Sequence, residues 1–210
     1  MRHVLALDLS TSTGWALLRQ DADGAKPVVL RFGRIQVPPY EEAPYPWSFD
    51  RRSDAVAAEV AKVLHGLLSA LVSDKVEGDL EIVIEESNLG RSRYAQKSQE
   101  FIHKAVLQQL RFMTGLVFYV SSSAWRSTLN LRLTSGDKKQ NSVLRKAKKQ
   151  QEKIDKKQLG IKGKITKKHL ALRFVLEHHG LAFKMKDNDI ADAICLGHAY
   201  LQGAPVCDGT

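Results

Sequence analysis

Four acidic side chains offer the chemistry in this sequence. Asp8 stands near the end of the apolar run His3-Val4-Leu5-Ala6-Leu7-Asp8-Leu9, and Glu85 near the end of Leu80-Glu81-Ile82-Val83-Ile84-Glu85-Glu86. Asp189 and Asp192 belong to Asp187-Asn188-Asp189-Ile190-Ala191-Asp192-Ala193. A near-continuous apolar run is the pattern of a strand buried on both faces. A carboxylate there needs a cation or hydrogen-bond donors, because leaving it unpaired costs several kcal/mol. Singly, each acid has an ordinary account: Asp8 as an Asx-turn residue closing a strand, Asp187 to Asp192 as first-turn acids favouring a helix dipole. Together they read differently. Neighbouring strands of an α/β sheet bring their C-terminal ends to one edge, and Asp189 and Asp192, three apart on a helix, share a face. Carboxylates gathered without a comparable set of cations cannot all stay ionised, so a metal is expected. Oxygen-only ligands select a hard divalent ion, Mg²⁺ or Mn²⁺. Two such ions roughly 4 Å apart would activate water and stabilise the leaving oxygen of a phosphodiester. Glu86 competes with Glu85 for this role, since a one-residue shift exchanges the faces of a strand.

The elements that must position these acids follow from periodicity. After the first strand, Ser10 to Thr13 form a turn, Gly14 to Leu18 a second strand and Val28 to Val37 a third, giving an antiparallel meander. Prolines at 38, 39, 44 and 46 interrupt regular structure. Ser48 or Asp50 then caps a helix running to about Leu71, with Val56, Val60, Val63, Leu64, Leu67 and Leu71 on one face. The Glu85 strand follows, then a helix from Arg91 to about Met113, a short strand over Leu116 to Val120, and a loop or helix start at Ser121 to Arg126. Thr166 to His179 and Asp187 to about Leu201 make the last two helices, and small Ala191 and Ala193 would let the final one approach the sheet closely. The order predicts an α/β fold: a mixed five-stranded sheet flanked by helices, in one domain over residues 1–210. There are no internal repeats.

Charge is concentrated rather than spread. The chain carries +9 overall, yet residues 131–168 hold 14 Lys and Arg against 3 Asp and Glu, leaving the remainder with 18 basic and 20 acidic residues. The Lys-rich stretch at about 131–165 has few large apolar residues and cannot build a core of its own, so it reads as an insertion, helical in part. A basic segment of this kind suits a polyanionic partner. Lys138, Lys139, Arg145, Lys146, Lys148, Lys149 and Lys164 are candidate phosphate contacts, as are Arg91, Arg93 and Lys97 after the Glu85 strand. Arg126 and Lys167 are candidates to neutralise a reacting phosphate. No apolar run approaches the roughly 18 residues of a membrane span, and the N-terminus lacks a signal-peptide layout. With no metal or disulfide spacing around Cys195 and Cys207, the expected setting is the reducing cytoplasm of a bacterium or of a phage's bacterial host.

The ordered set Leu5-Ala6-Leu7-Asp8-Leu9-Ser10-Thr11-Ser12-Thr13-Gly14-Trp15-Ala16, Ile82-Val83-Ile84-Glu85-Glu86 and Asp189-Ile190-Ala191-Asp192-Ala193 resembles the RuvC-type Holliday junction resolvases, and more closely their bacteriophage relatives, within the RNase H-like superfamily. The resemblance implies that Asp8, Glu85, Asp189 and Asp192 are catalytic and bind two Mg²⁺. It also implies a homodimer that nicks two strands of a four-way junction symmetrically and leaves 5′-phosphate ends. Two departures stand out. Leu9-Ser10 replaces the proline-glycine pair of the bacterial enzymes, and Asn88 stands where they place an aromatic wedge, with Leu89 or Tyr94 as substitutes.

A flap or RNase H-type nuclease would use the same fold and acids. An actin-like ATPase or sugar-kinase-like phosphotransferase could use Asp8 to Gly14 as a phosphate loop, but that fold needs two such domains and an adenosine-binding Gly-Gly motif. A non-catalytic basic DNA-binding protein would gain nothing from buried carboxylates that repel phosphate. His178, His179 and His198 read as structural or dipole-stabilising, and Trp15, Trp47 and Trp125 as packing. Ser10, Thr11 and Ser12 lack the His and acid partners of a nucleophile.

Overall fold

In the computed structural model, residues 1–38, 44, 46–73, 80–86, 93–113, 115–150 and 163–207 are described, the side chains of 147–150 excepted. The first three runs form the expected meander: β1 (Arg2–Asp8), β2 (Ser12–Gln20) and β3 (Val28–Gln36), antiparallel in both pairings. Helix α1 (Trp47–Ser73) leads across to β4 (Leu80–Glu85), which pairs parallel with β1. Helix α2 (Arg93–Gln109) leads to β5 (Val117–Val120), parallel to β4. The sheet order is β3-β2-β1-β4-β5. Four further α-helices follow among the described residues: α3 (Ser122–Thr128), α4 (Ser135–Gln150), α5 (Lys167–His179) and α6 (Asn188–Leu201).

Alternation along the central strands divides the core in two. Leu5, Leu7 and Leu9 of the first strand region, with Ile82 and Ile84 of β4, pack under Val56, Val60, Leu64 and Leu67 of α1 and Ile102 and Val106 of α2. Val4, Ala6 and Val83 face the other way, onto Ile190, Ala191, Ile194 and Leu196 of α6 and Ala171 and Val175 of α5. Each such Leu, Ile or Val side chain contributes about 2 kcal/mol through burial, and each Ala less. The same period of two decides where the acids point: Asp8 continues the Val4-Ala6 series and Glu85 the Val83 series. Both therefore lie on the α6 face. Against the expectation of no apolar stretch of membrane-spanning length, α1 is by length and composition long and apolar enough to cross a membrane; here one face of it covers the sheet.

Helix α6 packs closely on the strands because its contact positions are small. A methyl group added at Gly197 would meet Ala6 Cβ at 3.0 Å, and Ala191, Ala193 and Ala199 are fully buried.

Several boundaries differ from expectation. The second helix ends at Gln109, and Arg111–Met113 is a separate 3₁₀ turn. Of the two expected alternatives at Ser121 to Arg126, a loop or a helix start, the structure has the helix, with the Ser121 hydroxyl accepting from the Ala124 amide as N-cap. Trp47 is 62% exposed rather than packed. His179 and His198 share a hydrogen bond of 2.9 Å between α5 and α6.

The lysine-rich stretch contains α4, a helix with almost no apolar stripe. Polar bonds at its start hold it: Asp137 receives both Arg173 guanidinium nitrogens at 3.1 and 3.2 Å, and Asn141 exchanges two bonds with the Ile165 backbone. The Arg173 hydrogen bonds, followed by that from the Thr134 amide, lower the Asp137 pKa to about 2. A carboxylate depressed on folding stabilises above its unfolded pKa and loses that contribution as pH falls toward the folded value. Asp137→Asn is therefore expected to be less stable than the parent at pH 7. In thermal melts at stepped pH the two curves should converge between about pH 4 and about pH 2.

Candidate active site

Asp8, Glu85, Asp189 and Asp192 come together where β1 and β4 end against the start of α6. In the parallel β1–β4 register, Leu7 stands beside Ile84, so the next residues on the α6 face are Asp8 and Glu85. Glu86 is exposed, with its Oε2 receiving the Cys207 thiol at 3.4 Å, which settles the choice of face in favour of Glu85. Asp187 stands apart from the cluster, 3.7 Å from Arg34 Nη1.

The cluster carries the electrostatic signature of crowded acids. Burial, then the charges of Glu85, Asp192 and Asp189, push the Asp8 pKa well above the ordinary carboxylate range, with Arg126 opposing. Burial likewise raises Asp192 to about 7; Arg126 and Lys168 pull it down, while Glu85 and Asp189 push it up. Asp192 Oδ1 is buried and accepts no hydrogen bond.

Four further groups hold these acids, and the sequence reading assigned none of them this role. Trp125, fully buried, donates its indole N–H to Glu85 Oε2 at 3.2 Å. Ser12 donates its hydroxyl to Asp189 Oδ2 at 2.7 Å, so a residue of the turn after β1 orients a site carboxylate. Asn188 donates to Asp189 Oδ1 at 2.7 Å and accepts from Lys168 Nζ at 3.0 Å. The lysine bonded beside the acids is thus Lys168; it and its neighbour Lys167 are both exposed. Arg126 lies among the acids, 3.9 Å from Glu85 Oε1 and 3.8 Å from Asp192 Oδ1. Of these four, the sequence marks only Arg126 as a site candidate, and then for phosphate; Trp125 reads as packing and Ser12 as part of a turn.

Gly14 makes this geometry possible. A methyl group there would overlap the Asp189 carbonyl and stand 2.8 Å from the Ile190 amide nitrogen. Only a hydrogen lets β2 touch the first turn of α6.

The remaining candidates are spread over the surface. Arg93 and Lys97 lie exposed on the first turns of α2, and Lys138, Lys139, Arg145 and Lys146 are exposed on α4, with Lys164 before α5. Arg91, Asn88 and Leu89 fall outside the described residues, as do the side chains of Lys148 and Lys149. Tyr94 is 65% exposed and packs against Phe49.

Among the described residues, no three His, Cys, Asp or Glu side chains stand close enough to enclose a metal ion as they are. The donor set nevertheless suits a hard divalent cation: it is all oxygen, it contains the orphaned Asp192 Oδ1, and its mutual repulsion is what such a cation would relieve.

Comparison with known proteins gives a likeness of fold. No family model and no curated protein sequence matches the chain. Among solved structures, Thermus thermophilus RuvC matches at a TM-score of 0.58 and 15% identity, over 94% of this chain and 92% of that one. T. thermophilus RuvC in complex with a Holliday junction substrate matches at 0.58 and 14%, over 94% and 91%. The yeast mitochondrial Holliday junction resolvase Ydc2 matches at 0.51 and 12%, over 96% and 78%. The mixed five-stranded sheet, its flanking helices and their order along nearly the whole chain are therefore those of the RuvC-type, RNase H-like fold.

Proposed function

We propose that this chain is a metal-dependent, structure-specific DNA endonuclease that resolves four-way junctions. One observation carries the proposal: Asp8, Glu85, Asp189 and Asp192, distant in sequence, converge on one edge of a sheet whose fold is that of solved junction resolvases. Those four carboxylates would hold Mg²⁺ or Mn²⁺, in two ions by the family resemblance. When bound, such ions activate water and stabilise the leaving oxygen of a phosphodiester. The chain's own part is preorganisation: Ser12 and Asn188 fix Asp189, Trp125 fixes Glu85, and close packing at Gly14 fixes the start of α6 relative to β2. Symmetric cutting of two strands calls for a homodimer, and a bacterial or phage-infected cytoplasm is the setting in which the enzyme would act.

The exposed bases of α4, with Arg93 and Lys97, supply contacts to phosphates that carry no sequence information, as suits a reader of branch geometry. If roughly six phosphates are engaged, log K for junction binding falls with log salt at a slope near −5. Fluorescence anisotropy with a labelled junction across a salt series measures it, and a slope near zero removes the basic helix from the interface.

The direct test incubates the protein with end-labelled four-way, flap and linear duplex DNA, with and without Mg²⁺. Paired nicks confined to the four-way substrate and dependent on metal are expected. Preferential flap cutting would reassign the substrate within the same chemistry, and tight binding without cutting would reduce the chain to a DNA-binding protein.

A further inference from the structure

Arg126 is placed by contacts other than those with the acids it faces. Its guanidinium carbon stacks 4.0 Å from the centroid of the Trp125 ring, and its Nη1 donates to the Ser122 carbonyl at 3.2 Å. Trp125 is wholly buried and donates in turn to Glu85. The guanidinium therefore rests on a rigid ledge of α3, with only 17% of the side chain exposed. From there it spans two acids of different elements, Glu85 on β4 and Asp192 on α6, at 3.9 and 3.8 Å. These distances are too long for hydrogen bonds. Asp192 Oδ1 is left without one, and so is Arg126 Nε. The result is a cation held beside the acids but not locked to them, although guanidinium and carboxylate can meet in two short parallel bonds.

Resting on the metallonuclease reading above, we propose that Arg126 is a built-in counter-cation of the carboxylate cluster: it balances Glu85 and Asp192 while no metal is bound, and it opposes divalent binding by the same acids. Two cations serving one set of carboxylates are coupled with negative sign, and the coupling is reciprocal. The loose contacts fit this role. A locked fork would hold the acids against any competitor, whereas an arginine fixed by stacking and one carbonyl keeps its position when its charge is no longer needed. Lys168 adds a second positive charge, but its ammonium is bound to Asn188 Oδ1 and bridges no pair of acids.

Two measurements without DNA test the proposal. The first is thermal unfolding in EDTA of the parent, Arg126→Gln, Asp192→Asn and the double variant. Loss of Arg126 should lower the midpoint by several degrees in the parent and by clearly less in the Asp192→Asn background. The second is Mn²⁺ binding by electron paramagnetic resonance at pH 8.5, where protons compete least for the carboxyls. Arg126→Gln should bind about tenfold more tightly than the parent, while Arg126→Lys, which keeps the charge, should stay near it. Arg126→Lys also guards against a folding defect in the neutral variant. Equal or weaker Mn²⁺ binding by Arg126→Gln, or an equal loss of midpoint in both backgrounds, overturns the proposal. If none of the proteins binds Mn²⁺, the opposition to metal fails together with the metallonuclease reading. If instead the parent binds Mn²⁺ and cuts junctions but the Arg126 variants show no coupling, the counter-cation proposal alone falls.

Discussion

Asp8→Asn is expected to lose junction cleavage by a factor on the order of 10³ or more while folding better than the parent. The loss follows from its place: Asp8 and Glu85 each follow the last paired residues of the parallel strands, Leu7 and Ile84, and Asp8 feels the charges of Glu85, Asp192 and Asp189 together, so it is the acid with most to share with any ion held there. The gain has the same cause. Burial and three neighbouring acids make ionised Asp8 costly, and an amide of equal shape removes that cost. A stabilisation of about 1 kcal/mol would raise the melting midpoint by roughly 2–4 °C in a chain of this size. The sign of the pH dependence is fixed as well. A carboxyl whose pKa is raised on folding binds more protons folded than unfolded, so stability falls as pH rises from the unfolded pKa toward the folded one. The advantage of Asp8→Asn in EDTA should thus be larger at pH 8 than at pH 5. Melting curves at both values, beside a gel assay of junction nicking, give all three signs. A variant that cuts like the parent would remove Asp8 from catalysis.

The acids on strand ends were legible in the sequence because a strand has a period of two and an apolar run shows where that period breaks. Val4, Ala6 and Asp8 share a face in any register that buries Leu5 and Leu7, and Val83 and Glu85 do the same in β4. The pair Asp189 and Asp192 was legible through helical spacing and the alanines between and beside them. What packs around the acids was not. Ser12 meets Asp189 across 177 positions of sequence, and nothing in a Ser-Thr-Ser-Thr turn distinguishes a hydroxyl that closes the turn from one that leaves it. Trp125 has the signature of core packing, and it is core, but its indole N–H direction depends on how α3 leaves β5. Arg126 drew notice only for its charge, because helix α3 is seven residues long and its angle to the sheet has no periodic trace. Helix α4 was hard to see for a different reason: its contacts are Asp137, Asn141 and Gln140 bonding to distant backbone and to Arg173, so it shows no apolar stripe.

Among the described glycines, Gly14→Ala is expected to be the most damaging added methyl. The penalty comes from space alone, since Gly14 does not adopt a left-handed backbone conformation. An added Cβ would overlap the Asp189 carbonyl and stand 2.8 Å from the Ile190 amide nitrogen, and neither neighbour is a side-chain end that could swing away. Both are backbone of the first turn of α6, a helix buried along almost its whole length. Either β2 bends outward or the helix start lifts, and each response separates Ser12 from Asp189. Overpacking against backbone costs about 3 kcal/mol, or roughly 10 °C in melting midpoint at this chain length. A displacement near 1 Å of Asp189 and Asp192 relative to Asp8 and Glu85 costs cleavage about 10²-fold even in the fraction that remains folded. Gly66→Ala gives the contrast. Gly66 is exposed within α1 and a methyl there meets nothing within 4 Å, so alanine should stabilise by roughly 0.5–1 kcal/mol through helix propensity and leave nicking unchanged. Urea unfolding and junction cleavage of the two variants side by side test whether close approach, rather than glycine itself, is what the fold needs at position 14. Parent-like behaviour of Gly14→Ala would mean that α6 is not seated against β2 as described, and the convergence of the four acids would have to be redrawn.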